Sequence, residues 1–277
     1  MSGPPPRSAK DRADRSLAFR ALVPNAVTAL ALCFGLTGVR YAISAAAGNE
    51  AHWELALACV VGAGVLDGMD GRIARLLRAE SRFGAELDSL SDVSAFGVAP
   101  ALIIYLWSLH EAPQFGWVAA LALAVCCALR LARFNSRMDA DDQPHKSAGY
   151  LTGVPAPAGA GLAFVPVYLW LVTGQEIFRA WYVTMPWVIF IALLLISSVA
   201  TYSWTSLRIR RSSRLFAIAG IGLFGAALVT SPWVTLLAIS LLYVAMLPFS
   251  IASYDRVRRR RANAAGPARS AAGGRAS

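Results

Sequence analysis

Charged residues are scarce in this chain, and histidine and cysteine are scarcer still. Of the 277 residues, 15% are charged and 57% are hydrophobic, whereas soluble domains carry roughly 25% charged residues. This composition excludes an ordinary soluble globule, and the high hydrophobicity excludes intrinsic disorder for most of the chain. The three histidines form no His-Glu-x-x-His pair, which excludes a zinc hydrolase of that type.

The four cysteines all lie within apolar runs, and Cys126 and Cys127 are adjacent. Their spacing matches neither a zinc site nor a disulfide-rich secreted scaffold. Because buried thiols of this kind are usually inert parts of a core, we expect no chemical role for them.

What the chain has instead is a series of apolar stretches, each about as long as a helix needs to cross the hydrocarbon core of a bilayer. They lie at 22–46, 52–70, 85–109, 115–134, 154–173, 182–202, 214–230 and 233–252. The last two are separated by Thr230-Ser231-Pro232, a tight turn that places proline at the start of a helix. The sequence therefore predicts an all-α integral membrane protein with about eight spans.

The net charge is +10, and the connections between the apolar stretches are alternately rich and poor in Lys and Arg. Lys and Arg are concentrated in the N-terminal leader, in the connections 71–84, 130–150 and 203–214, and in the tail 254–277, while the other connections hold at most one each. By the positive-inside rule, this pattern places both termini and the three basic connections in the cytoplasm. The basic run 256–261 favours anionic lipid headgroups over nucleic acid, since no nucleic-acid-binding fold surrounds it.

The leader 1–20 is polar and has no signal-peptide pattern, so we expect it to be retained. Within 12–23, arginines alternate with large apolar residues, which suits a short helix lying on the inner leaflet. An unstructured charged leader is equally compatible with this segment.

Two pairs of aspartates lie where a membrane protein rarely carries acids. Asp67 and Asp70 are three residues apart, and Asp88 and Asp92 are four apart, so each pair shares one face of a helix. Because the second and third spans are antiparallel neighbours, the two pairs are expected to meet at one depth. Each aspartate costs about 2.5–3.5 kcal/mol at a span centre, and four anions repel one another. The alternative, helix capping at the membrane surface, explains one aspartate better than four.

A cation must therefore lie between the four carboxylates. Arg75 supplies one positive charge, which does not balance four negative ones. Oxygen ligands from several carboxylates suit hard divalent ions such as Mg²⁺, Mn²⁺ or Ca²⁺. Gly71, Ala74 and Gly84 lie on the same helix faces, and their small size leaves room for either a ligand or a neighbouring helix.

The string Asp67-x2-Asp70-Gly71-x2-Ala74-Arg75-x8-Gly84-x3-Asp88-x3-Asp92 resembles the signature of the CDP-alcohol phosphotransferase family at every specified position. Members of that family are membrane enzymes with a six-helix core, usually dimeric. They transfer a phosphoalcohol from a CDP-linked donor to a second alcohol and release CMP. The resemblance implies that two divalent cations, Mg²⁺ or Mn²⁺, are bound by Asp67, Asp70, Asp88 and Asp92. It further implies that Asp92 is also the general base, and that the nucleotide pocket is lined by Gly71, Ala74, Arg75 and Gly84.

Three further segments, PNAVT at 24–28, ALRLARFN at 128–135 and GVPAPAG at 153–159, are similar to the bacterial branch of this family that makes phosphatidylserine. This resemblance implies CDP-diacylglycerol as donor and L-serine as acceptor. The donor nucleotide would be bordered by Asn25 and Thr28, and the donor phosphate or the serine carboxylate would be bound by Arg130, Arg133 and Asn135. Guanidinium groups fit planar oxyanions, although positive-inside anchoring is a rival explanation for the two arginines. Without the resemblance, Pro24-Asn25 is simply a helix start.

We thus expect four segments: a basic leader at 1–20, a six-helix catalytic membrane domain at 21–202, two additional transmembrane helices at 203–253, and a basic, disordered tail at 254–277. Nothing in the two additional helices points to chemistry, so they are interpreted as packing or dimer helices. The expected location is the inner membrane of a bacterium, with the active site on the cytoplasmic side.

Three alternatives remain. Another acceptor, such as glycerol 3-phosphate, inositol phosphate or choline, would keep the family and change the product. A divalent-cation transporter also needs intramembrane acids, but it more often places them near the midplane on broken helices. A membrane scaffold without catalytic activity would not explain four aligned aspartates.

Overall fold

The computed structural model describes residues 9–138, 150–152, 154–197, 200–202 and 214–246. Nearly all of these residues are helical, which confirms the predicted all-α character, with one short two-stranded ribbon in addition. The basic tail at 254–277, for which the sequence predicts disorder, lies outside the described residues.

The described residues form ten α-helices and one π-helix along the chain. Their bounds are α1 Ala9–Ala46, α2 His52–Leu77, α3 Arg82–Asp92, a π-helix Val93–Val98, α4 Ala99–Trp107, α5 Gly116–Met138, α6 Ala156–Ala163, α7 Val165–Thr173, α8 Trp181–Ile196, α9 Arg214–Thr230 and α10 Pro232–Met246. Two 3-10 turns, Leu109–Glu111 and Glu176–Phe178, join α4 to α5 and α7 to α8. The ribbon pairs β1 Tyr150–Thr152 with β2 Ala200–Tyr202 in antiparallel register.

Each of the eight apolar stretches contains a helix, but not every helix is long enough to cross a bilayer. By length and composition, three helical stretches among the described residues qualify: Leu22–Ala46, Arg82–Trp107 and Gly116–Ser136. α6 and α7, which are bent by 42° relative to each other, make a fourth if they count as one broken span. These apolar helices indicate a multi-pass membrane protein. The number of spans, eight, stays a prediction.

Several helices extend beyond the predicted spans, most of all α1, which begins at Ala9 rather than at residue 22. Two further boundaries, the ends of α2 and α8, have a clear local cause. α2 continues past residue 70 to Leu77, because nothing in the polar sequence that follows breaks a helix before Arg78 turns into the left-handed region with φ 50°. The span predicted at 182–202 ends early, at Ile196, where the Ser197 hydroxyl donates to the Leu194 carbonyl at 2.7 Å. Hydropathy alone did not detect this end, since the Thr and Tyr residues of β2 are apolar enough to extend the window and favour a strand.

One end of the bundle is rich in tryptophan, and we call it the aromatic end, defined by Trp53, Trp107, Trp170 and Arg179. Arg179, just before α8, donates from Nε to the Trp107 carbonyl oxygen at 3.1 Å. Its guanidinium carbon lies 6.0 Å from the Trp53 ring centroid and 5.8 Å from that of Trp170. Arg179 therefore ties α2, α4 and α7 to the start of α8.

The last helix also begins at the aromatic end. The Trp233 ring stacks on Tyr168 of α7, with centroids 6.3 Å apart and planes at 19°. Its Nε1 donates to Glu54 Oε2 near the start of α2 at 3.2 Å. Because α10 and α2 both begin here, the two helices run in the same direction toward the opposite end of the bundle.

We expect the change Arg179→Met to destabilise the protein by about 2 kcal/mol, because it removes a charge-assisted hydrogen bond and two cation–π contacts. The ion pair with Glu50, at 3.6 Å and largely exposed, contributes little. Thermal unfolding of the purified protein in detergent measures the loss. Arg40→Met is the control, since Arg40 is exposed and contacts one ring, that of Tyr41. Equal melting temperatures for the two variants would contradict this role of Arg179.

Candidate active site and metal centre

The four aspartates lie on α2 and α3, which meet as an antiparallel pair across a connection of four residues. Arg78 ends α2, and Ser81 begins α3 by accepting a hydrogen bond from the Gly84 amide at 3.0 Å. A serine at this position satisfies a backbone donor that the first helical turn leaves unpaired. The tight connection holds both aspartate pairs at one end of the bundle, which we call the carboxylate end.

The carboxylates converge, as their spacing predicts. Oxygens of Asp67, Asp70 and Asp88 all lie within 4.8 Å of one another. The side chain of Asp92 lies within hydrogen-bonding reach of Asp67. Asp70 is buried and the other three are half-buried. Such close anions, partly removed from water, repel one another strongly unless a cation offsets their charge.

The donor set of this cluster fits a hard divalent cation. Among the described residues, the group of potential ligands consists of carboxylates alone, without a histidine or cysteine. Mg²⁺ and Mn²⁺ prefer such oxygen ligands, whereas zinc favours nitrogen and sulfur. The potential ligands in the structure are therefore carboxylate oxygens, the ligand type that the sequence predicts for the metal site.

A residue of helix α1, Thr28, orients the carboxylate of Asp70 through a hydrogen bond. The Thr28 hydroxyl donates to Asp70 Oδ2 at 2.7 Å, and the Gly71 amide donates to the other carboxylate oxygen. The Ser91 hydroxyl in turn donates to the Thr28 carbonyl at 3.2 Å, which links α3 to α1. Thr28, expected beside the nucleotide, thus also holds Asp70 in place.

A cavity of about 470 Å³ opens next to the cluster, between the middle of α1, the end of α2 and the start of α3. Its size lies within the range of roughly 300–1,000 Å³ that small-molecule sites occupy. It is lined by Pro24, Asn25, Thr28, Asp70, Gly71, Ala74, Arg75, Ala79, Glu80, Ser81, Gly84, Ala85 and Asp88. All six residues that the sequence assigns to the donor nucleotide are among them.

The two glycines of this cavity differ in what they face. A Cβ added to Gly71 would meet nothing within 4 Å, so this position opens onto free space. A Cβ added to Gly84 would lie 2.8 Å from Asn25 Oδ1 and 3.1 Å from Ser81 Oγ. The close approach of a neighbouring helix that the sequence allowed is observed at Gly84, while Gly71 faces free space, and its role beside a ligand stays a prediction.

The three polar residues predicted at the end of α5 have separate contacts. Arg133 donates from Nη1 to the carbonyl of Ile196, the last residue of α8, at 3.1 Å. Asn135 donates from Nδ2 to Ser89 Oγ of α3 at 2.8 Å. Arg130 is half-buried and lies close enough to Asp92 for direct electrostatic attraction. Both arginines line a second cavity of about 260 Å³, between the ends of α5 and α8.

Two serines that support the site were not predicted. Ser81 carries a local signal, because a serine directly before a helical stretch is a preferred N-cap residue. Ser91 carries none, since its hydrogen bond to Thr28 joins residues 63 positions apart.

The fold and the acidic cluster define a multi-pass membrane enzyme whose centre lies at one end of its helices. The chain belongs to the CDP-alcohol phosphatidyltransferase family, because the sequence model of that family matches residues 21–197. A second model, described as CDP-alcohol phosphatidyltransferase 2, matches residues 213–248.

Several similar proteins are named CDP-diacylglycerol–serine O-phosphatidyltransferase. The one from Mycobacterium leprae is 36% identical over 83% of this chain and 74% of its own length. The one from Mycobacterium tuberculosis is 35% identical over 84% of this chain and 79% of its own length. The one from Helicobacter pylori is 39% identical over 53% of this chain and 58% of its own length.

We expect Thr28→Val to weaken divalent-cation binding about tenfold, because losing a hydrogen bond that orients a metal ligand typically costs 10–100-fold in affinity. Thr37→Val is the matched control, since Thr37 lies on the same helix and its hydroxyl donates to the Cys33 carbonyl. Titration of purified protein with Mn²⁺ measures both dissociation constants. If the two variants bind Mn²⁺ equally well, Thr28 does not orient a metal ligand.

Proposed function

We propose that this protein transfers the phosphatidyl group of CDP-diacylglycerol to the hydroxyl of L-serine, giving phosphatidylserine and CMP. The observation that carries the proposal is the convergence of four aspartates beside a cavity lined by the remaining residues of the family signature. The choice of serine is supported by the name that the similar proteins share.

In this proposal, Asp67, Asp70, Asp88 and Asp92 hold two divalent cations, Mg²⁺ or Mn²⁺. Bound there, such ions would neutralise the diphosphate and stabilise the leaving CMP. The Thr28 hydroxyl fixes the orientation of Asp70 and so restricts where its free lone pairs point. Catalysis of phosphoryl transfer depends mostly on such positioning and charge stabilisation.

The donor would occupy the cavity of about 470 Å³, with its acyl chains in the bilayer. Gly71 and Ala74 leave room for the nucleotide, and Arg75 offers a positive charge to its diphosphate. Asn25, packed against Gly84, presents a polar group on the α1 side. Helix α1 and the α2–α3 pair would thus enclose the donor from two sides.

Asp92 would accept the proton of the serine hydroxyl, whose oxygen then attacks the phosphorus that carries the diacylglycerol. The bond between this phosphorus and the CMP oxygen breaks, and CMP leaves. Arg130 would bind the serine carboxylate, assisted by Arg133 and Asn135; in support, Arg130 interacts electrostatically with Asp92 and lines one cavity together with Arg133. Direct attack is favoured over a covalent enzyme intermediate, because no separate nucleophile is apparent in the signature.

We also propose eight spans in the inner membrane of a bacterium, with both termini and the site in the cytoplasm. In support, the aspartates lie at the end of the bundle that carries the basic stretch 71–84 and the basic end of α5 at 130–138. The proposed division is a leader at 1–20, a catalytic domain at 21–202, two further helices at 203–253 and a tail at 254–277. A homodimer follows from the resemblance alone.

The acceptor is tested by supplying purified protein with CDP-diacylglycerol and one alcohol at a time, and measuring CMP release. We expect release with L-serine and Mg²⁺ or Mn²⁺, and none after a chelator removes the ions. Release with glycerol 3-phosphate, inositol phosphate or choline in place of serine would identify a different acceptor. Release that persists with the chelator would refute the metal-dependent mechanism.

The changes Asp92→Asn and Asp88→Asn should each lower turnover by about 10²–10⁴-fold, since each removes a charge on which the chemistry depends. Both variants should still insert into the membrane, because the amide has nearly the same shape. Glu86→Gln is the control: Glu86 lies on α3 and is exposed, and we expect it to keep wild-type activity. Wild-type turnover in the Asp92→Asn protein would exclude Asp92 as the base.

A further inference from the structure

The side-chain amide of Asn135 bridges the end of α5 to α3, beside the aspartates. Its Nδ2 donates a hydrogen bond to Ser89 Oγ at 2.8 Å. Ser89 directly follows Asp88 and comes three residues before Asp92, so it lies on the same side of α3 as Asp92. The contact therefore brings the Asn135 amide to the level of the carboxylate cluster.

The hydroxyl of Ser89 decides which end of this amide faces it. Ser89 Oγ donates to the Ala85 carbonyl at 3.0 Å. A serine hydroxyl carries one proton, so toward Asn135 it can only accept a hydrogen bond. The oxygen and the NH₂ of an amide have nearly the same shape, and the hydrogen-bond partners determine which is which. The partner of Ser89 must therefore be the NH₂ end.

The oxygen of Asn135 is left free by this orientation. With its NH₂ held against α3, Oδ1 is turned away from Ser89, and it has no hydrogen-bond partner in the part of the chain that the structure describes. The side chain is exposed, so a small molecule can reach it. The result is an oriented acceptor within one helical turn of Asp92.

L-serine carries the group that such an oxygen binds. Its carboxylate takes hydrogen-bond donors, and in the proposed function Arg130 supplies them. Its ammonium group has three N–H donors and no acceptor, so it needs an oxygen. The Oδ1 atom of Asn135 carries partial negative charge and no proton, so it repels a carboxylate and attracts an ammonium.

We propose that Asn135 is a specificity-determining residue whose Oδ1 accepts a hydrogen bond from the ammonium group of the acceptor, and that Ser89 is the positioning residue that orients it. This inference rests on the proposed function, in which serine is the acceptor and Asp92 takes its hydroxyl proton. Ser89 precedes Asp92 by about 4.5 Å along the helix axis, at 1.5 Å per residue. Because the hydroxyl and the ammonium of serine are on adjacent carbons, one molecule can reach both groups.

This contact distinguishes serine from the other acceptors that the sequence leaves open. Glycerol 3-phosphate and inositol phosphate have no amine, and the nitrogen of choline carries methyl groups without an N–H. A site built to bind a substrate N–H rejects an analogue that lacks it, because the polar group of the protein is then left unpaired. Asn135 thus gives the site a physical reason to select serine.

The test compares L-serine with 3-hydroxypropionate, which keeps the hydroxyl and the carboxylate but lacks the amine. Purified protein receives CDP-diacylglycerol, Mn²⁺ and one of the two acceptors, and CMP release is measured. In Asn135→Leu, we expect kcat/KM for serine to fall about tenfold, as for the loss of a hydrogen bond to a charged group. The value for 3-hydroxypropionate should stay unchanged. Where its turnover is too slow, its inhibition constant against serine is compared instead.

The positioning role is tested with Ser89. We expect Ser89→Ala to lower the preference for serine in the same direction but less, because the amide can then turn its NH₂ toward the acceptor. Ser89→Thr keeps the hydroxyl and should restore the wild-type preference. Ser94→Ala is the matched control, since the Ser94 hydroxyl also donates to a carbonyl four residues earlier, that of Leu90. This control should leave the preference unchanged.

Equal falls in kcat/KM for both acceptors in Asn135→Leu would overturn the inference, because that pattern indicates packing alone. Unchanged values for both acceptors would also overturn it, since the oxygen is then merely hydrated. If wild type uses serine and either pattern is found, the inference fails and the proposed function stands. If wild type releases CMP only with acceptors that lack an N–H group, the proposed function fails and the inference fails with it.

Discussion

The mutual repulsion of carboxylates brought within 4.8 Å of one another is the constraint on which the rest of the structure depends. In a medium of low dielectric, such repulsion would separate α2 from α3 unless other contacts oppose it. The four-residue connection capped by Ser81 holds the helices together, and Thr28 and Ser91 tie both to α1. The protein thus keeps a close arrangement of acidic groups whose repulsion a bound divalent cation would relieve.

The aromatic end of the bundle contributes stability, and the carboxylate end carries the candidate active site. At the aromatic end, the positive charge of Arg179 is surrounded by tryptophan rings and a backbone carbonyl, so it has its contacts within the protein. At the carboxylate end, by contrast, charge is left without full internal compensation and faces a cavity. Rigid packing at one end allows an open, polar site at the other, since the helices that carry the aspartates cannot separate.

Local periodicity made several features predictable. The spacing of Asp67, Asp70, Asp88 and Asp92 placed them on facing helix surfaces, and the structure brings them together. The turn before Pro232 was also predicted, because proline fits the first position of a helix. The end of α8 was not, since a hydropathy window averages over the serine that ends the helix. The separate contacts of Arg133 and Asn135 were not predicted either, since they depend on what α8 and α3 present to the end of α5.

The sequence by itself determined the helical class, the family and the meeting of the aspartates, because each is encoded within one or two neighbouring helices. Only the tertiary structure decided that Thr28 holds Asp70, that Asn25 fills the space beside Gly84, and that Arg133 bonds to the end of α8. The physical reason is that a helical period specifies which side chains share a face, but not how far a distant helix is rotated or shifted along its axis. Those two quantities come from packing between helices, and they set the partners of each buried polar group.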